Sequence, residues 1–153
     1  MTDQNILFSR YSLNDAITLK NRIVMAPMTR VKAGADFVPT PEMAAYYARR
    51  AEAGLLITEG TVISEDARGH DGVSGVFTLA QIAGWKQVTD AVHAKGGLIF
   101  AQIWHVGRVS HPYFLKGALP VSASATTMTG RIPRSDNLMF GKARALTIDE
   151  ISV

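Results

Sequence analysis

Three short apolar runs each end in small or polar residues, and those endings are where chemistry is expected. The runs are Arg22-Ile23-Val24-Met25-Ala26, Leu55-Leu56-Ile57-Thr58-Glu59 and Leu98-Ile99-Phe100-Ala101-Gln102-Ile103-Trp104. Their endings bring Pro27-Met28-Thr29-Arg30, Glu59-Gly60-Thr61 and Gln102-Ile103-Trp104-His105. Ligand sites of α/β proteins lie at the carboxyl ends of strands, so these side chains are the first candidates. Thr29 offers a hydroxyl, and Gln102 an amide that both donates and accepts. Gly60 lets a flat ring approach the backbone closely. Thr29 and Gln102 are equally suited to satisfying loop backbone, and spacing alone does not separate the two readings.

The histidines give less. His105 closes the third run, with Arg108 and then His111 beyond it. A metal pair from His105 and His111 lacks a carboxylate at ligand spacing, so no metal site is expected. His93 follows Val92 in a helical pattern and is predicted to face solvent. His70 lies in Gly69-His70-Asp71-Gly72-Val73-Ser74-Gly75, which is neither a Walker A loop nor a dinucleotide fingerprint. It reads either as part of a mobile loop or as a substrate-facing imidazole. The chain has no cysteine, which removes thiolate nucleophiles, disulfides and iron–sulfur ligation. No Ser/His/Asp set can be assembled. Trp85, Tyr46 and Tyr47 read as packing residues.

The elements that must position these groups follow from pattern. The three runs lack polar alternation, which suits parallel strands covered on both faces. Thr40-Pro41 is an N-cap with proline in the first turn, followed by Met43, Tyr46, Tyr47 and Arg50-Ala51 up to Gly54. Thr78-Leu79-Ala80-Gln81 is a capping box, with Ile82, Trp85, Val88 and Val92 as the predicted buried stripe and Gly96-Gly97 as the stop. The order strand, helix, strand, helix, strand suits right-handed crossovers. Residues 6–20 are predicted to form a hairpin before the first of these strands, and 106–146 a long loop with neither helix nor core strand. Thr147-Ile148-Asp149-Glu150 is a further capping box. Three strands leave two open sheet edges, so a second chain or self-association is expected to cover them.

Composition is that of an ordinary globular chain: 153 residues, 47% hydrophobic, 19% charged, formal charge +3. The basic residues are scattered, without a stripe that alternates with aromatics, so no nucleic-acid partner is expected. The start, Met1-Thr2-Asp3-Gln4-Asn5, has no secretory pattern, and no apolar run is long enough to span a bilayer. A cytoplasmic protein without membrane contact is the expectation.

Asn21 to Arg30, Gly54 to Thr61 with Ile63-Ser64, and Phe100-Ala101-Gln102-Ile103-Trp104-His105-Val106-Gly107-Arg108 together resemble the old yellow enzyme family. Pro120 to Ala125 and Arg144 to Thr147 fit as well, in unbroken order. The resemblance implies a TIM (β/α)8 barrel, of which residues 1–153 supply about the first three strands and two helices. It also implies FMN-dependent reduction of activated C=C bonds, in enones and nitroalkenes, with NAD(P)H as reductant. By position, Pro27, Met28 and Thr29 would lie along the flavin, with the Thr29 hydroxyl near a ring carbonyl. Gly60 would lie by the ring and Gln102 at its pyrimidine edge. Trp104 and His70 would face the substrate, His70 standing where many members carry Tyr. The segment after His105 would cap the site. The family's substrate-binding His pair or His/Asn pair, its proton-donating Tyr, its flavin-steadying Arg and its phosphate turn have no counterpart here. Catalytic residues are therefore expected on strands outside this sequence. The rival reading is a truncated or engineered half-barrel without activity of its own. A dihydroorotate dehydrogenase-like enzyme is a weaker alternative, against which the run Gln102 to Arg108 argues.

Overall fold

The computed structural model describes residues 5–133 and 135–151. The first four residues of the start and the last two of the final helical pattern lie outside them.

A turn of 3-10 helix over Ile6–Phe8 leads into β1 (Tyr11–Ser12) and β2 (Thr18–Leu19), which pair antiparallel with Tyr11 opposite Leu19. The parallel sheet that follows is built around β4 (Leu55–Val62). One edge of β4 takes β3 (Val24–Met25) at Leu55 and Leu56, then β5 (Ser74–Gly75) at Thr61 and Val62. The other edge takes β6 (Ile99–Trp104) from Leu56 to Val62. The first apolar run thus yields a strand of only two residues. The strand β5, which gives no apolar signal, arises because the chain after β4 folds back against that strand's own end.

Both crossover helices begin as their capping residues dictate. In α1 (Pro41–Ala48) the Thr40 hydroxyl accepts the Met43 N–H, and Pro41 fills the first turn at no hydrogen-bond cost. The helix ends at Ala48 rather than running to Gly54, and turns occupy the residues between. In α2 (Leu79–His93) the reciprocal capping box between Thr78 and Gln81 is formed. The buried stripe of α2 is Gln81, Gly84, Trp85, Val88 and Val92, and Ile82 is 49% exposed. Gln81 takes the inward place expected of Ile82 because its carboxamide is bonded there. Its carboxamide accepts from the Phe77 and Thr78 N–H groups and donates to the Asp36 carbonyl. His93 is exposed, as the pattern requires.

The main core packs Met43, Tyr47 and Ala51 with Trp85, Val88 and Val92 of α2 against Leu56. β4 is buried at every residue but Ile57, which is partly covered, and the short β5 is buried as well. Phe100 and Ile103 of β6 are 43% and 65% exposed, so the third run is not buried on both faces as its composition suggested. Residues 106–146 are also less bare than expected. Phe114, Leu115 and Ile132 form a small buried cluster of their own. There β7 (Val121–Ser122) pairs in parallel with β8 (Arg144–Ala145). The helix α3 (Ile148–Ile151) follows, with Thr147 and Glu150 bonded reciprocally at its start.

Candidate active site

A β-bulge in β4 sets the geometry of the strand ends. Between Ile57 and Gly60 the register against β6 slips by one residue, with Ile57 opposite Phe100 but Gly60 opposite Gln102. An extra residue reverses the alternation of faces beyond it. Leu56 therefore packs against the helices, while Gly60 and Val62 face inward under Trp104. The bulged backbone is satisfied by side chains in place of ladder bonds. The Glu59 N–H donates to the Tyr47 hydroxyl at 2.8 Å, and its carbonyl accepts from the Thr58 and Thr61 hydroxyls at 2.9 and 3.1 Å. The Gln102 N–H donates to Thr58 Oγ1 at 3.0 Å.

On β6, Ile99 packs against the helical core. By strand alternation Phe100, Gln102 and Trp104 share the opposite, inner face. Gln102 is half-buried, and its side-chain amide bonds no other described residue. The Trp104 indole lies over Gly60, where an added Cβ would stand 2.5 Å from the ring. One ring for which Gly60 leaves room is the chain's own Trp104. Its Nε1 is buried and has no hydrogen-bond partner.

Thr29, His70 and Trp104 line one cavity of about 490 Å³, together with Gly69, Val106 and Ile132. The rings of His70 and Trp104 meet edge-on with centroids 6.3 Å apart. The loop that carries His70 is tied to the segment after β6. Val106 N–H donates to the Ala67 carbonyl, Ser110 Oγ to the Arg68 carbonyl, and Arg68 Nε to the Phe114 carbonyl. These bonds fasten the loop of His70 to the segment after β6. Pro27 and Met28 lie outside the cavity on exposed chain after β3, with Met28 58% exposed. His105 and His111 are occupied locally, each accepting a loop N–H at Nδ1.

Glu59 is the residue that the strand-end pattern named without a role. It is 1% exposed, and its Oε2 accepts the Arg30 N–H at 2.7 Å while Oε1 has no partner. Burial raises its pKa above the ordinary carboxylate value, and the N–H and charge of Arg30 oppose the rise. A glutamate inside an apolar run was the available signal.

Residues 7–152 match the NADH:flavin oxidoreductase / NADH oxidase family. The chain belongs to that family. It is 43% identical over 141 residues to flavin oxidoreductase hxnT of Emericella nidulans, covering 89% of this chain and 36% of the relative. It is 44% identical to 12-oxophytodienoate reductase 7 of Oryza sativa subsp. japonica, covering 95% of this chain and 38% of the relative. Among solved structures, morphinone reductase superposes with a TM-score of 0.87 at 44% identity, over 95% of this chain and 41% of the other. The old yellow enzyme homologue from Zymomonas mobilis gives 0.86 at 44%, with 95% of this chain and 41% of the other covered. One morphinone reductase structure is a complex with tetrahydroNAD. The chain spans about two fifths of the length of these relatives. Its fold is the matching part of a TIM barrel, in which β3, β4 and β6 are successive barrel strands and α1 and α2 the crossovers between them. FMN and a nicotinamide reductant belong to the family. Among the described residues no helix is long and apolar enough to cross a membrane.

The residues present fit one edge of a flavin. Gln102 presents an amide without an internal partner, and the alternating N–H and C=O groups of a pyrimidine edge suit such an amide. Gln102 and Thr29 are both neutral, which suits the ring rather than the phosphate.

Proposed function

We propose that this chain supplies one side of the flavin site of an FMN-dependent, NAD(P)H-oxidising reductase of activated alkenes. The remaining barrel strands would come from further polypeptide, continuous with this sequence or in a second chain. Bound FMN would supply hydride transfer from the nicotinamide to the β-carbon of an enone or nitroalkene. In this reading Gln102 holds the pyrimidine edge, Thr29 donates near a ring carbonyl, and Pro27, Met28 and Gly60 border the ring. Trp104 and His70 wall the substrate side of the cavity, where their apolar edges exclude water. The relatives named as 12-oxophytodienoate and morphinone reductases support a conjugated carbonyl compound as substrate class.

The observation that carries the reading is Gln102. Its carboxamide bonds no other described residue and shares the inner face with Trp104, in a chain that is 44% identical to morphinone reductase. With the completing strands present, Gln102→Leu weakens FMN binding by ~1–3 kcal/mol, because a buried polar edge of the ring loses its partner. FMN titration followed by quenching of flavin fluorescence measures this. An unchanged dissociation constant contradicts the assignment.

A further inference from the structure

We propose that Glu59 is a positioning residue: its buried carboxyl group holds the Thr29–Arg30 peptide, and through it sets where the Thr29 hydroxyl stands. The proposal rests on the reading that Thr29 faces the flavin.

Glu59 is built as a fixed post. The bulge removes its backbone from the ladder, and Tyr47, Thr58 and Thr61 bind that backbone from three sides. The side chain then reaches the connection between β3 and α1 and accepts the Arg30 N–H at 2.7 Å, the short length of a charge-assisted bond. The peptide that contains this N–H begins at Thr29.

The connection is one that needs holding. Val31, the next residue, has φ +52°, a left-handed backbone that a β-branched side chain resists. Beyond it the Ala33 N–H donates to the Gly72 carbonyl, and any Cβ at Gly72 would stand 2.9 Å from the Val31 carbonyl oxygen. The segment carrying Thr29 is therefore gripped on one side by Glu59 and on the other by the loop of His70.

A simple packing role explains the carboxyl group poorly. Oε1 is buried without a partner, a costly arrangement that an apolar residue of similar size would avoid. The ionisable groups facing it are Arg30, Lys32, Glu42, Tyr46 and Tyr47. Lys32 is paired with Glu42 at 3.5 Å, and the Arg30 guanidinium stacks 4.1 Å above the Tyr46 ring. The bond to Arg30 N–H is the one specific task left to the group, and it weakens when the carboxylate is protonated.

The test uses the FMN-loaded protein with its completing strands present. It follows the Arg30 backbone amide by 15N NMR and the flavin reduction potential in the wild type and in Glu59→Gln, Glu59→Leu and Thr29→Ala. In the wild type the Arg30 amide is expected far downfield, moving in a single step as Glu59 titrates. Glu59→Gln keeps the bond through a neutral acceptor, so the amide sits near the position it reaches in the wild type once Glu59 is protonated, the titration step is lost, and the potential stays closer to the wild type than in Glu59→Leu. Glu59→Leu loses the downfield position and lowers the potential in the same direction as Thr29→Ala. An Arg30 amide unmoved in Glu59→Leu overturns the proposal. So does a potential that responds to Thr29→Ala but not to Glu59→Leu. A potential unmoved by Thr29→Ala overturns the flavin reading of Thr29 instead, and the amide still decides whether Glu59 holds the peptide. If Glu59→Leu does not fold, the titration step decides: its loss in Glu59→Gln supports the proposal, and its persistence overturns it.

Discussion

Gly60 and Trp104 meet at a separation that leaves no room for a methyl group. A Cβ at position 60 would lie 2.5 Å from both Cδ2 and Cε2 of the indole, and the clash falls on ring atoms rather than on a flexible tip. Gly60→Ala must push Trp104 off the strand, into the cavity that it lines with Thr29 and His70. Overpacking of this kind costs about 1–3 kcal/mol, so the denaturant midpoint should fall while the slope stays constant. An unchanged midpoint would show that the indole is free to shift. Gly60 was legible in the sequence as a place of close approach, but its contact with the Trp104 ring was not. Strand composition does not reveal that a bulge turns Gly60 inward beneath the side chain two residues beyond its partner in β6. Glu59 was hidden by the same bulge, since its task depends on a residue 29 positions earlier in the chain.

Helix starts fixed by local side-chain bonds were read correctly from sequence, whereas the end of α1, expected at Gly54 and found at Ala48, and the features fixed by distant contacts were not. The starts of α1 and α2 are set by Thr40-Pro41 and by the Thr78–Gln81 box, each within four residues. Ile82 was misplaced because Gln81 is drawn inward by the carbonyl of Asp36, a contact that helical periodicity does not contain. β5 and the β7–β8 pair escaped for the same reason, being two-residue strands that exist only through their partners. The third capping box supports a prediction about pH. Glu150 accepts two bonds from the Arg144 guanidinium, at 2.8 and 2.6 Å, and one from the Thr147 N–H. Arg144 first, then Thr147, holds its carboxyl down to about 2. A carboxylate favoured in the folded state stabilises it above the ordinary pKa and ceases to do so as pH falls through the lowered one. The join between β8 and α3 should therefore hold above about pH 4.5 and loosen between there and about 2. An NMR titration of the Glu150 side-chain carboxyl carbon checks this, and Glu150→Gln should abolish the transition. A midpoint at the ordinary glutamate value would contradict it.

At the scale of the molecule, the inner face and outer edges of the sheet carry apolar side chains that this chain alone leaves uncovered. Val24, Met28, Phe100 and Ile103 are 46%, 58%, 43% and 65% exposed. Parallel edges of such composition invite pairing with further strands. Light scattering on the isolated chain should therefore show association, and a monodisperse species of 16.5 kDa would contradict it. The same exposure bears on catalysis. Hydride transfer needs the alkene's activating oxygen polarised and its β-carbon held over the flavin by donors placed in advance. The histidines here are not gathered for that. His105 and His111 each accept a loop N–H at Nδ1 and stand outside the cavity of Thr29 and Trp104, and His70 meets Trp104 edge-on at its wall. In the proposed reading the groups toward the flavin, Thr29 and Gln102, are neutral and do not themselves pair with its phosphate. The isolated 153-residue chain, supplied with FMN and NAD(P)H, should consequently show no reduction of an enone above the rate of free FMN. Turnover should appear when the remaining barrel strands are supplied in trans or in one polypeptide, and Gln102→Leu should then depress it at limiting FMN but less at saturating FMN. Turnover by the isolated chain that is lost in His105→Ala would instead place the substrate donor on β6's own end, within this part of the barrel.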